Sequence, residues 1–168
     1  MPATAIRVIR LLPVVGAFAL LAQQPAPEAE KTFTSAAQVS AMIAKAKKER
    51  KPDQANFIQP LLKVAPYTVN LEYRVEGVDS VPNVHEAEAE MIFVVDGAGT
   101  LTQGGKMLNE KRSSPINLTG SAIEGGTPRR IAKGDYIFIR ANTPHAFTKT
   151  EGNLVIMSIH LPKDGAGK

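Results

Sequence analysis

The sequence predicts an all-β protein, an antiparallel sandwich or barrel, preceded by one N-terminal helix. Three observations predict it. From Phe57 onward the hydrophobic period is two, most clearly in "YTVNLEYRVEG": Tyr67, Val69, Leu71, Tyr73 and Val75 share one face, and Thr68, Asn70, Glu72, Arg74 and Glu76 the other. Further short apolar runs follow at "MIFVVD", "GTLTQ", "RRIAK", "DYIFIR", "HAFTKT" and "LVIMSIHL". Turn signals punctuate them at Asp96-Gly97, Gly104-Gly105, Gly125-Gly126, Gly134-Asp135, Asn142-Thr143-Pro144 and Gly152-Asn153. Many short strands separated this way close into a sandwich or barrel.

The segments divide as follows. Residues 1–22 carry Arg7 and Arg10, no acid, and an apolar run from Leu11 to Ala22. A basic start and a short apolar core describe a secretory signal, cleaved after Ala19 or Ala22; an uncleaved membrane anchor is the competing reading. The expectation is therefore a periplasmic or secreted protein with no membrane attachment once the signal is removed. Residues 23–56 form a linker and the helix. The linker, Pro25 to Lys31, is polar and proline-bearing. Ser35 and Gln38 then make a capping box, Val39, Met42, Ile43 and Ala46 make one apolar stripe, and Pro52 stops the helix. Residues 57–163 hold the strands. Within them, Lys106 to Thr127 is polar and turn-rich and reads as a long loop with at most a short strand near Ile123.

Composition removes several functions. The 168 residues include no cysteine, so disulfides, thiolate metal sites and a cysteine nucleophile are excluded. The formal charge is +4, and Arg7 and Arg10 account for half of it. The basic run "KAKKERK" reads as the solvated face of the helix. No basic stripe alternates with aromatics, so nucleic acid is not an expected partner. Any imidazole chemistry must come from His85, His145 and His160.

The stretch "NVHEAEAEMIFVVDGAG", Asn83 to Gly99, sets one histidine before three alternating glutamates. As one continuous strand it would separate His85 from Glu86, Glu88 and Glu90. A turn at Ala87-Glu88 would instead pair His85 with Glu90 and Asn83 with Ile92, and directly opposed residues share a face. Glu86 would then point away and Glu88 would sit at an exposed tip. A second signal is "GDYIFIRANTPHAF": a Gly-Asp turn, a strand, a second turn, and His145 opening the return strand.

Together these stretches resemble the cupin superfamily. His85, Glu90 and Gly97 match the second histidine, the glutamate and the closing glycine of its first motif, and Gly134 and His145 fall at the spacing of its second. The resemblance covers most of Leu61 to Leu161. It departs at Asn83, which stands where the first histidine belongs, and at Arg140, Asn142 and Lys149, which replace a proline, a glycine and an asparagine.

The resemblance implies a double-stranded β-helix, the cupin or jelly-roll barrel. It also implies a metal site of His85, Glu90 and His145, two imidazoles and one carboxylate. Such a set suits divalent Fe, Mn, Ni or Zn. His160 matches no motif position and reads as structural or exposed. The inward face of the Tyr67–Val75 strand would make the lumen mostly apolar, with tyrosine hydroxyls as polar handles. Two functions remain open: a metalloenzyme acting on a small organic molecule by oxygenase, isomerase or lyase chemistry, and a non-catalytic cupin that binds a small molecule or sugar beside a degenerate metal site. A small-molecule ligand is the expected partner, and a homodimer is compatible with the fold.

Overall fold

The computed structural model describes residues 29–163. The expected signal, residues 1–22, lies outside them. The elements in chain order are α1 (Ala36–Glu49), β1 (Phe57–Val64), β2 (Tyr67–Val75), β3 (Asn83–His85), β4 (Glu88–Gln103), β5 (Lys106–Leu108), β6 (Lys111–Ser114), β7 (Asn117–Thr119), β8 (Ala122–Glu124), β9 (Thr127–Ala132), β10 (Tyr136–Ile139) and β11 (His145–Pro162). All strand pairs are antiparallel. One side runs β1-β2-β11-β3-β7-β6, and β4 joins β9, β10 and β11. Among the described residues no helix is long and apolar enough to cross a membrane.

The helix forms where the stripe and cap place it. Ser35 Oγ accepts from the Gln38 amide, and Gln38 Oε1 accepts from the Ser35 amide at 2.8 Å. Ala46 is fully buried, and Val39, Met42 and Ile43 pack with Leu61, Val69, Leu71, Tyr73 and Val155. Each such apolar side chain taken from water contributes about 1.5–3 kcal/mol. The helix thus lies on the outer face of β1 and β2.

This packing inverts one expectation. Val69, Leu71 and Tyr73 face the helix, not the lumen. The polar face of the same strand points inward, and Glu72 and Arg74 are buried. The lumen has two halves. One is apolar, built from Ile92, Val94, Leu101, Ile131, Ile139, Phe147, Leu154 and Ile156. The other is polar and holds the candidate site.

Two expected turns are bulges instead. β4 runs through Asp96-Gly97 and β11 through Gly152-Asn153, with register shifts where the two strands pair. Gly97 has φ 79° and abuts the Asn153 carbonyl so closely that no Cβ fits there. The bulge bends both strands without breaking the ladder. The polar segment expected to be a long loop forms four short strands, β5 to β8. Its residues pair locally, β5 with β8 and β6 with β7, and β7 also adds to β3.

The expected His85–Glu90 hairpin is absent. β3 pairs with β7 and β11, whereas β4 is flanked by β10 and β11 and has no edge left there for β3. The chain bends at Glu86-Ala87, one residue earlier than expected. The Glu86 amide donates to the Ile116 carbonyl at 2.8 Å.

Candidate metal centre

His85 and Glu90 meet nonetheless, across the barrel mouth rather than along a ladder. Glu90 lies in the inward row of β4 that continues as Ile92 and Val94. His145 begins β11 and takes Asn83 as its register partner. Glu90 Oε2 lies 3.4 Å from His145 Nε2 and 3.8 Å from His85 Nε2. One donor atom from each of the three residues lies within 4.8 Å of the others. Donors bound at about 2.1 Å to a single ion stand about 3–3.5 Å apart, so small side-chain shifts suffice to close this set.

The atoms behind the rings fix which nitrogen is free. His85 Nδ1 donates to Asn117 Oδ1 at 2.7 Å, and His145 Nδ1 donates to the Thr143 carbonyl at 3.0 Å. Both Nε2 lone pairs therefore face Glu90. This is the arrangement that orients a metal-binding imidazole. Two ring nitrogens and a carboxyl group converge, three groups that can each offer a lone pair to one ion. The residues present fit a divalent cation.

Electrostatics agree with a site that waits for positive charge. Burial pushes the Glu90 carboxyl up to about 8, the charge of Glu72 adds to this, Arg74 opposes it and Glu88 adds a little. Burial pulls the His145 imidazole down to about 4; its bond to Thr143 opposes this, and His85, His160 and Arg74 reinforce it. Burial thus disfavours charge on both members of this 3.4 Å contact.

A cavity of about 180 Å³ adjoins the three residues and is also lined by Asn70, Glu72, Arg74, Asn83 and His160. Glu72 binds three partners: Ser158 Oγ at 2.5 Å, Asn56 Nδ2 at 2.6 Å and Arg74 Nη2 at 2.7 Å. Burial would raise its carboxyl, but the Arg74 charge and these three bonds bring it below the usual carboxylate range. Arg74 lies 4.0 Å over the Phe147 ring, and its Nε and Nη1 are buried without an acceptor among the described residues.

The three glutamates of the stretch Asn83 to Gly99 are inequivalent. Glu86 faces outward and pairs with Arg112 at 2.6 Å. Glu88 is not an exposed tip: it shares the inward row with Glu90 and lies 3.2 Å from His160 Nδ1. His160, expected to be structural or exposed, lines the cavity. Burial and His85 lower its pKa, against Glu88 and Glu72. Asn83 borders the cavity and donates to the Val81 carbonyl at 2.9 Å. Sequence reasoning missed Glu72, Arg74, Ser158 and Asn117. A signal for the first two was present. An amphipathic helix needs an apolar partner, and taking the apolar face of "YTVNLEYRV" leaves its polar face for the lumen.

No family model matches the chain, and no curated protein matches it. Solved structures do. The chain is similar to BH2720 from Bacillus halodurans, at 18% identity and a TM-score of 0.51 over 86% of this chain and 88% of that one. It is similar to TT1209 from Thermus thermophilus, at 14% identity and a TM-score of 0.51 over 71% and 94%. KdgF from Halomonas sp. aligns at 16% identity with a TM-score of 0.49 over 68% and 85%. At these identities the likeness bears on fold alone. The curled antiparallel sheet, the motif residues at the mouth and the first two of these neighbours agree: this chain has the cupin fold, with α1 packed outside the barrel.

Proposed function

We propose that this chain is an exported metalloprotein that binds a divalent transition metal through His85, Glu90 and His145 and acts on a small organic molecule. The convergence of two Nε2 lone pairs on a buried carboxyl carries the reading. Asn117 and the Thr143 carbonyl hold those rings in the binding tautomer before any ion arrives. Two imidazoles and one carboxylate suit Fe(II) and also Mn(II), Ni(II) or Zn(II). Bound there, such an ion would supply Lewis acidity and open coordination positions for oxygenase, isomerase or lyase chemistry.

The rest of the chain defines the ligand. The cavity, about 180 Å³, is below the roughly 300–1,000 Å³ of drug-sized sites, so the ligand has few heavy atoms. Glu72 and Arg74 cancel. A divalent ion on the Glu90 carboxylate then leaves one net positive charge in a buried space, which a singly charged ligand with a chelating oxygen pair would neutralise. The unpaired Nε and Nη1 of Arg74 favour a ligand rich in acceptors.

Metal analysis of the untagged protein tests this. His85→Ala, Glu90→Ala and His145→Ala should each lower metal content at least about tenfold, and Glu86→Ala should leave it unchanged. Equal loss from Glu86→Ala would sink the assignment. An unaltered protein that carries no transition metal and binds sugars equally well after chelation would turn the reading to the non-catalytic binding module.

A further inference from the structure

The mouth of the cavity holds a second cluster that the three inner ligands leave unused. Glu88 stands two residues before Glu90 on β4, and His160 on β11 is the register partner of Glu90. Glu88 Oε2 lies 3.2 Å from His160 Nδ1. The His160 ring packs edge-on against His85, with centroids 4.6 Å apart. One donor atom from each of His85, Glu88 and His160 lies within 4.8 Å of the others. The chemistry repeats the inner set: two imidazoles and one carboxylate. The depth differs. The Glu88 and His160 side chains are 21% and 15% exposed, against 6% for both Glu90 and His145. His85 belongs to both sets.

We propose that His85, Glu88 and His160 form an outer cation position through which a divalent transition metal reaches the inner one. The proposal rests on the inner site being a metal site. A hydrated divalent ion is held strongly by its water, and moving it bare into a buried pocket is costly. An outer carboxylate and two imidazoles replace part of that hydration while the ion is still in contact with solvent. His85 is common to both sets, so the ion can keep this ligand while Glu88 and His160 are exchanged for Glu90 and His145. The outer position is the weaker one. Its Glu88 and His160 side chains are more exposed than Glu90 and His145, and occupancy must break the Glu88–His160 contact. A weak, accessible position in front of a buried one suits uptake.

Co(II) is the probe, because imidazole ligation gives it visible absorption, and the full chain is first stripped of metal by a chelator. Glu90→Gln disables the inner set and spares the outer. It should still bind about one Co(II), and adding His160→Gln should weaken that binding by about tenfold or more. In the otherwise unaltered chain, His160→Gln should slow Co(II) uptake in stopped flow by about tenfold while the final affinity stays within about threefold. Glu88→Gln, at a more exposed position, should slow uptake in the same way, and circular dichroism checks that every variant folds. The proposal is overturned if Glu90→Gln and Glu90→Gln/His160→Gln bind Co(II) alike, or if neither binds while the unaltered chain takes one equivalent. Uptake at the unaltered rate in both His160→Gln and Glu88→Gln also overturns it. An unaltered chain that takes up no Co(II) removes the inner site and the outer one with it.

Discussion

Asn117 shows how a residue with no chemistry of its own can govern the site. Its side-chain oxygen accepts from His85 Nδ1 at 2.7 Å and so commits Nε2 to the cavity. Replacing it frees the ring to rotate and to exchange tautomers. Asn117→Ala should lower metal affinity by about ten- to a hundredfold while leaving the fold intact. Titration of the metal-free variant with Co(II) measures this, and an unchanged affinity would show that His85 needs no such support. Asn117 was not legible in the sequence. Its segment has no period, and its role depends on β7 adding to β3, a pairing between residues more than thirty positions apart. His85, Glu90, Gly97 and His145 were legible because motif spacing survives even where local geometry is misread. The hairpin that would have joined His85 to Glu90 does not exist, yet the barrel brings them to 3.8 Å. Glu88 was misread as an exposed tip, and its contact with His160 went unseen, for the same reason: without the barrel, nothing in the chain says that β4 and β11 run side by side.

At the level of elements, the bulged pair β4 and β11 carries the site. Both strands bend at glycines, and that bend lets their first and last residues reach the mouth together. Gly97 has φ 79° and touches the Asn153 carbonyl. An alanine there meets two penalties, about 1–2 kcal/mol for the left-handed backbone and a further cost for displacing the Asn153 carbonyl. Gly97→Ala should therefore destabilise the protein by at least about 2 kcal/mol, read by urea denaturation, whereas Gly134→Ala, at φ 94° with open space around it, should cost less. Equal losses would mean that the strand crossing tolerates a Cβ. In the sequence this glycine looked like a turn, because a Gly after Asp marks a turn and a bulge alike. The helix was read more securely. Its capping box, stripe and proline stop are all local, and the structure forms Ala36–Glu49 where they place it. What the helix does to β2 was not read. Covering the apolar face with α1 turns the polar face inward, and the expected apolar lumen with tyrosine handles becomes a lumen holding a buried Glu72–Arg74 pair.

For the whole molecule, the buried charges of the site make stability depend on pH and on metal together. His145 titrates at about 4 in the folded protein against 6.5 when exposed. The unfolded chain thus binds more protons between those values, and stability rises with pH up to about 6.5 and is then flat. Glu90 does the opposite. It titrates at about 8 when folded against 4.5 when exposed, so the folded protein binds the extra proton and loses stability as pH rises through that window. Below pH 6.5 the Glu90 effect opposes that of His145, which the lowered pKa of His160 reinforces. Between 6.5 and 8 only Glu90 acts, and the metal-free protein should melt at progressively lower temperature. An ion bound by the Glu90 carboxylate displaces this proton, so its affinity should rise toward pH 8 and its binding should release up to one proton at pH 7. The difference in melting temperature between metal-loaded and metal-free protein should therefore widen from pH 6.5 to pH 8. Glu90→Gln carries no ionisable group and should flatten the metal-free curve in that interval. A metal-free curve with the same slope in Glu90→Gln would place the titrating group elsewhere, and calorimetry in two buffers of different ionisation enthalpy would then count no proton released on metal binding.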